Sequence, residues 1–260
     1  MRMDYSAPTS PPNIFSVAFR CLMEPDPDRK VAQTRDLARR WRNHELAVGD
    51  WDAPVPIPEP GRPPKPELVH PKHLPRRTLA HDAGRAALIH AVTHIEFNAI
   101  NLAWDAVYRF RDLPTAYYDD WIGVADDEAR HFLALRGRLR ELGFEYGDFP
   151  AHNGLWDMAL RTADDPLSRM ALVPRVLEAR GLDVTPAMIE RFRAAGDEPA
   201  AGCGGGYGCA GAVGAGRAAA LLGLPGVGGG GAGGQRGNVV GGGGCRGRGR
   251  AATFDHGPPG

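Results

Sequence analysis

Glu128 and His131 stand three residues apart in a stretch where Trp121, Val124, Phe132, Leu135, Leu139 and Leu142 recur at helical spacing. Three residues is close to one helical turn, so a carboxylate and an imidazole are aimed at the same point beside the helix. Both lie on the face that the apolar stripe turns towards the core. Upstream, Glu96 shares a helical face with Ile89, Val92, Ala99, Ile100, Ala103 and Val107. A carboxylate in an apolar stripe costs several kcal/mol when ionised and alone, on the order of what a cation or a proton must offset. Two such anomalies, 32 residues apart, suit antiparallel helices of four to six turns joined by a short loop. The side chains would then fall level, and the chemistry they offer is metal binding.

Di-iron and di-manganese carboxylate bundles use this device, a Glu-x-x-His pair on one helix facing a lone Glu on its neighbour. A second lone carboxylate is expected from Glu178, which continues the face of Leu167, Ala171 and Pro174. The metal set read from the chain is therefore Glu96, Glu128, His131 and Glu178, with iron or manganese as the metal, because carboxylates suit hard cations and imidazole is compatible with both. His90 and His94 lie off the face of Glu96. The spacing of a zinc protease helix would require Glu after the first His, where this chain has Ala91. They are candidates to support the ligands or to pack. Asp105 is a further supporting candidate, although Asn98, Asn101 and Asp105 together read more simply as a solvated or interhelical hydrogen-bonding face. His152 reads as structural.

The elements that must position these groups are legible in outline. Helices are expected over 14–23, 28–46, 82–111, 119–142, 155–163, 166–180 and 186–195. Asp165-Pro166 and Thr185-Pro186 mark N-termini, and Gly181 and Gly196 stand where C-terminal caps belong. Nine prolines between Ala53 and Pro75 remove backbone donors and forbid a regular helix. The expected organisation is an N-terminal helical hairpin over 1–49, a proline-rich strap over 50–80, an all-α helical domain over 81–201 and a Gly/Arg-rich disordered tail over 202–260. That tail holds 25 of the 35 glycines and no hydrophobic period.

Charge and cysteines narrow the class. The net charge is zero, yet the tail carries five Arg against one Asp, leaving a mildly acidic body with no nucleic-acid footprint. Four cysteines without a paired C-x-x-C spacing imply free thiols in a reducing compartment. No apolar run approaches a membrane span, and the N-terminus has no basic-then-apolar leader, so a cytoplasmic protein without membrane contact is expected.

The segments His90-Ala-Val-Thr-His94-Ile-Glu96, Asp127-Glu-Ala-Arg-His131-Phe132, Tyr146-Gly-Asp-Phe-Pro-Ala-His152 and Leu177-Glu-Ala-Arg-Gly-Leu-Asp183 resemble the signatures of an uncharacterised bacterial ferritin-like family, catalogued as domain of unknown function 455. The resemblance covers most of residues 14–201, and in outline the chain is also similar to ferritin-like tRNA hydroxylases. It implies a ferritin-like helical bundle with a dinuclear iron or manganese site. The implied activity is that of an oxidase or hydroxylase acting on a small-molecule or RNA substrate, with homo-oligomers compatible. It also implies a helix after Gly196-Asp197-Glu198-Pro199-Ala200 bearing a second Glu-x-x-His. Here the chain reads Gly202-Cys203-Gly204-Gly205-Gly206-Tyr207-Gly208 instead. A reading-frame change near codon 202 of a GC-rich gene explains a tail of Gly, Ala, Arg and Pro, and leaves the metal set incomplete. Two other functions are carried alongside: a helical interaction or metal-storage module without catalysis, and RNA binding by the Gly/Arg tail.

Overall fold

The computed structural model describes residues 12–49, 52–75 and 81–170, together with residues 190, 193, 194, 196 and 198. Among the described residues the fold is all-α: five α-helices, one 3-10 turn at Pro71–His73, two isolated β-bridges and no strand.

Helix α1 spans Ile14–Met23, capped by the Asn13 side chain accepting from the Phe15 amide, and it stops before Pro25. Helix α2 spans Pro27–Arg42, with Asp26 as its cap and Pro27 in its first turn, where the missing N–H costs nothing. The sequence placed its end at 46. It ends four residues sooner because His44 turns left-handed, at φ 59°, and Ala47 pairs with Pro12 and Ile14.

Helix α3 runs from Asp82 to Arg109, close to the expected span, and every residue from Glu96 to Tyr108 is buried. A helix covered on all sides is the centre of its bundle. Helix α4, Thr115–Glu141, begins four residues earlier than expected, directly after Pro114. Its first turn carries Tyr117 and Tyr118, and the Tyr118 hydroxyl donates to the Phe110 carbonyl 3.1 Å away, which draws the chain into the helix at once. Helix α5 covers Gly154–Arg161. A further helical turn occupies 166–170, with Asp165 accepting from the amides of Leu167 and Ser168, as its sequence implied.

Helices α3 and α4 pack on each other, α1 lies against α3 and α2 against α4. The apolar faces of the first two helices, including Ile14, Leu22 and Trp41, join one core with Phe97, Trp104, Trp121 and Phe132. Polar ties set the packing: Trp104 Nε1 donates to Thr34 Oγ1, Trp41 Nε1 to Asp119, and Arg42 to Asp126. None of the described helices is long and apolar enough to cross a membrane.

The proline-rich strap is extended and pinned at intervals. Val55 donates to the Tyr108 hydroxyl, and the Pro58 carbonyl accepts from Trp156. Gly61 donates to Leu22 O and accepts from Lys30 Nζ at 2.8 Å. Farther on, Val69 and Glu67 exchange backbone bonds with Ala151. At Gly61 a Cβ would come within 2.2 Å of the Met23 carbonyl oxygen, so only glycine lets the strap approach so closely.

Candidate metal centre

Glu96 projects from the middle of α3, and Glu128 and His131 project from one face of α4. Their ligand atoms all lie within 4.8 Å of one another. Among the described residues, this is the group of His, Cys, Asp or Glu side chains placed to hold a metal ion. Both carboxyls are buried, and His131 sits at the rim, half-buried. Its Nδ1 is 3.0 Å from Glu128 Oε2.

Two acids in one dry interface cannot both be ionised cheaply. Burial pushes the Glu96 carboxyl well above the usual carboxylate range, and the neighbouring Glu128 charge and the hydrogen bond between them push it the same way. Burial would raise Glu128 too, but the bonds from Glu96 and His131 outweigh it and hold that carboxylate below its ordinary value. Of the two, Glu96 is thus the harder to ionise.

An aromatic wall backs the cluster. Phe97 and Phe132, each next in sequence to a cluster residue, have ring centroids 5.6 Å apart. Tyr146, from the loop after α4, packs on both, at 5.6 and 5.2 Å. His90 and His94 turn to this loop. His94 Nδ1 is 2.9 Å from the Tyr146 hydroxyl, and Asn98 Nδ2 is 3.0 Å from its Nε2. Burial and the neighbouring His90 bring the His94 imidazole down to about 4, so it is neutral near pH 7. His90 Nε2 accepts from the Gly147 amide, and its ring stacks on Tyr146. Gly147 has φ 112°, a conformation that gives this amide its direction and that other residues adopt at a cost. The two histidines therefore orient the loop that carries Tyr146. His152 accepts from the Gly154 amide in a local turn, as its loop position suggested.

Asp105 stands apart. It lies nine residues along α3 from Glu96, about 13.5 Å at the helical rise. Its oxygens accept from Arg109 on the same helix and from Arg169 at 2.7 Å. Arg169 is itself buried, and it also donates to Thr162 Oγ1 and Ala159 O. Asn98, Asn101 and Asp105 are all buried, so the solvated alternative for that face is overturned and the hydrogen-bonding one holds. Glu178 lies outside the described residues, as do the proposed break near Gly202 and the tail.

The roles of three polar side chains are not legible in the sequence. Tyr146 stands in a recognisable segment and Arg169 in an expected helix, yet neither position shows by itself that the side chain packs inward. Lys30, likewise without a reading from the sequence, is fully buried, with Nζ donating to the carbonyls of Leu22 and Gly61 and to Asn101 Oδ1. The i, i+4 spacing of Asp105 and Arg109 was the one local signal of a buried ion pair in this region.

Comparison with known proteins follows this geometry. The pattern of a family described as "Protein of unknown function (DUF455)" matches residues 23–203. An uncharacterised protein of Haemophilus influenzae is 53% identical over 137 residues, which are 50% of this chain and 48% of that protein. The chain thus spans about half the length of this curated relative. No solved structure matches. Because the family pattern runs from the end of α1 through the whole Glu96, Glu128 and His131 cluster, the protein belongs to this family of unknown function.

Proposed function

We propose that Glu96, Glu128 and His131 are metal ligands of a ferritin-like bundle, and that the intact protein is a dinuclear iron or manganese oxidase or hydroxylase. The observation that carries this reading is the convergence of two buried carboxyls and one imidazole within 4.8 Å. Without a cation, burial and the neighbouring Glu128 charge make the Glu96 carboxyl hard to ionise. The donor set fits iron or manganese, with hard oxygens and one nitrogen, and the half-buried His131 gives the cluster a side towards solvent.

Glu178, which the sequence sets on one face with Leu167, Ala171 and Pro174, is the fourth ligand in this reading.

A metal bound there supplies redox chemistry and a coordination position open to an oxidant. The chain's own part is to hold it. Glu96 and Glu128 give up any proton they hold, the two carboxylates balance the cation's charge, and the Phe97, Phe132 and Tyr146 rings keep water from that side. The reading-frame change belongs to the same proposal, supported by a family match that ends at residue 203, where the Gly-rich tail begins. In this chain half of the ligand set is then missing, and activity should be little or none.

Two experiments test the proposal. Translating the other two frames beyond codon 200 should reveal an amphipathic helix carrying Glu-x-x-His, and its absence from both would sink the frame change. Metal analysis and optical oxygen tests on the frame-restored protein should give two metals per chain and an oxygen-dependent spectral change. Metal bound without oxygen reactivity favours the storage module instead. Deleting residues 202–260 without altering RNA binding would remove the Gly/Arg-tail alternative.

A further inference from the structure

Lys30 of α2 is fully buried, and its Nζ donates to Leu22 O of α1 at 2.9 Å, to Gly61 O of the strap at 2.8 Å and to Asn101 Oδ1 of α3. All three acceptors are neutral, and the Nζ stands 5.2 Å from the centroid of the Phe97 ring. We propose that Lys30 and Asn101 form a proton-operated latch on the proline-rich strap, fastened when the lysine is a neutral amine and loosened when it is an ammonium.

The first ground is the hydrogen bonding of the pair. A charge held in a dry site by neutral groups alone is costly, and a lysine escapes that cost by losing its proton. Asn101 is placed to serve the neutral form. Its Nδ2 is buried without a hydrogen-bond partner, while its Oδ1 faces the lysine. A neutral amine has two N–H donors and one lone pair. Turning the Asn101 amide over lets Nδ2 donate to that lone pair, while the two N–H groups keep Leu22 O and Gly61 O. Oδ1 then takes the place of Nδ2, and unpaired buried carbonyls are commoner than unpaired N–H groups. The ammonium has no lone pair, so in that form the Asn101 donor stays unsatisfied.

The second ground is the place of this knot in the strap. Prolines have no N–H to donate, so the strap is tied to the core at intervals. Pro58 O accepts from Trp156, Gly61 is bonded to Leu22 and Lys30, and Glu67 and Val69 pair with Ala151. The Gly61 amide and Lys30 Nζ share the Leu22 carbonyl, so lysine and strap are fastened at one atom. Lifting the strap there removes Gly61 from above the amine and admits water to it. Beyond Gly61, Arg62, Pro63 and Pro66 face His94, Phe97 and Tyr146 across a gap the size of a water. An open strap uncovers that ring wall behind Glu96, Glu128 and His131. Its use as an approach to a metal rests on the reading above, whereas the latch does not.

The surroundings of the amine set the direction of the response. Burial lowers Lys30 from 10.5 to about 7, by more than the charges of Cys21 and Glu24 on α1 raise it. Glu24 is turned to Arg29 and Gln33, Arg62 follows Gly61 on the strap, and α3 faces the amine with Phe97 and Asn101. With the strap open, water restores the ordinary lysine value, so the closed form loses its proton at the lower pH. Closing is therefore favoured as pH rises above about 7, by up to about tenfold per unit, and the balance is level below it.

The test is hydrogen exchange of the Gly61 amide in the chelator-treated full chain between about pH 6 and 9, corrected for the intrinsic exchange rate at each pH. The opening constant of Gly61 should be level up to about pH 7 and then fall by up to about tenfold per unit. It should also exceed that of the Trp104 amide in α3, which reports global unfolding. Lys30→Met removes the titrating group and Asn101→Asp gives the ammonium a charged partner, and each should flatten the dependence. A Gly61 opening that stays level above about pH 7, equals that of Trp104 at every pH, or keeps its slope in either variant would overturn the proposal. Should neither variant fold, the Nζ resonance of Lys30 in the unaltered protein decides. Titration near pH 7 upholds the latch, and titration near the ordinary lysine value overturns it. These measurements involve no metal, so a failed latch leaves the metal reading untouched, and a chain that takes up no metal leaves the latch standing.

Discussion

The Glu96 carboxyl on α3 and the Glu128 carboxyl on α4 meet in one buried cluster, and the hydrogen bond between them raises the first while it lowers the second. A divalent cation held there, as proposed above, would displace any proton on the pair. Metal uptake should therefore release a proton, which a titration in weak buffer would read directly.

Glu128→Ala should abolish metal binding in the frame-restored protein while helical content by circular dichroism largely survives. In the metal-free protein it leaves the Glu96 hydroxyl without an acceptor, at a cost of about 1–3 kcal/mol. Full metal occupancy in this variant would count against the centre.

Lys30 should make stability rise with pH above neutrality. Burial lowers its ammonium from 10.5 to about 7, so between those values the unfolded chain binds the extra proton. The group's contribution then grows with pH by up to about 1.4 kcal/mol per unit, beginning near pH 7. Cys21, raised by burial from 9.0 to about 11, holds its proton longer in the fold and acts in the opposite sense only above 9. Urea unfolding between pH 7 and 9 should show the rise, and Lys30→Met should flatten it.

Asp105→Ala should be among the most destabilising changes, about 3–5 kcal/mol, because it leaves the buried Arg169 and the half-buried Arg109 without their shared carboxylate. Arg169→Met should cost less, since Asp105 keeps Arg109. Equal losses for the two in chemical denaturation would show that the charge balance is not what matters there.

Two glycines should respond in opposite directions to alanine. Gly61→Ala forces a Cβ against the Met23 backbone and should destabilise by about 1–3 kcal/mol. Gly137, inside α4 with nothing within 4 Å of an added Cβ, should gain about 0.5–1 kcal/mol on the same change. Melting temperatures of the two variants check both signs.

Glu96, Glu128 and His131 were legible as a group because each interrupts an apolar stripe at helical spacing, and periodicity alone assigns them to the faces that meet. The helix start at Asp165-Pro166 was legible for a similarly local reason, a side-chain acceptor followed by a residue that needs no partner. The ends of α2 and the start of α4 were misplaced because distant bonds decide them, Ala47 to Pro12 in one case and Tyr118 to Phe110 in the other.

By itself the sequence determined the all-α character, the two central helices and which of their faces carry carboxylates, since these depend on neighbours within about one turn. Only the tertiary structure decided that the Glu96 and Glu128 carboxyls meet in one buried cluster. It also decided that Lys30 and Arg169 are buried, that Asp105 belongs to an arginine pair and that Tyr146 backs the cluster. Each of these depends on which residues from remote segments exclude water together. That exclusion is a property of the packed helices, and no spacing along the chain encodes it locally.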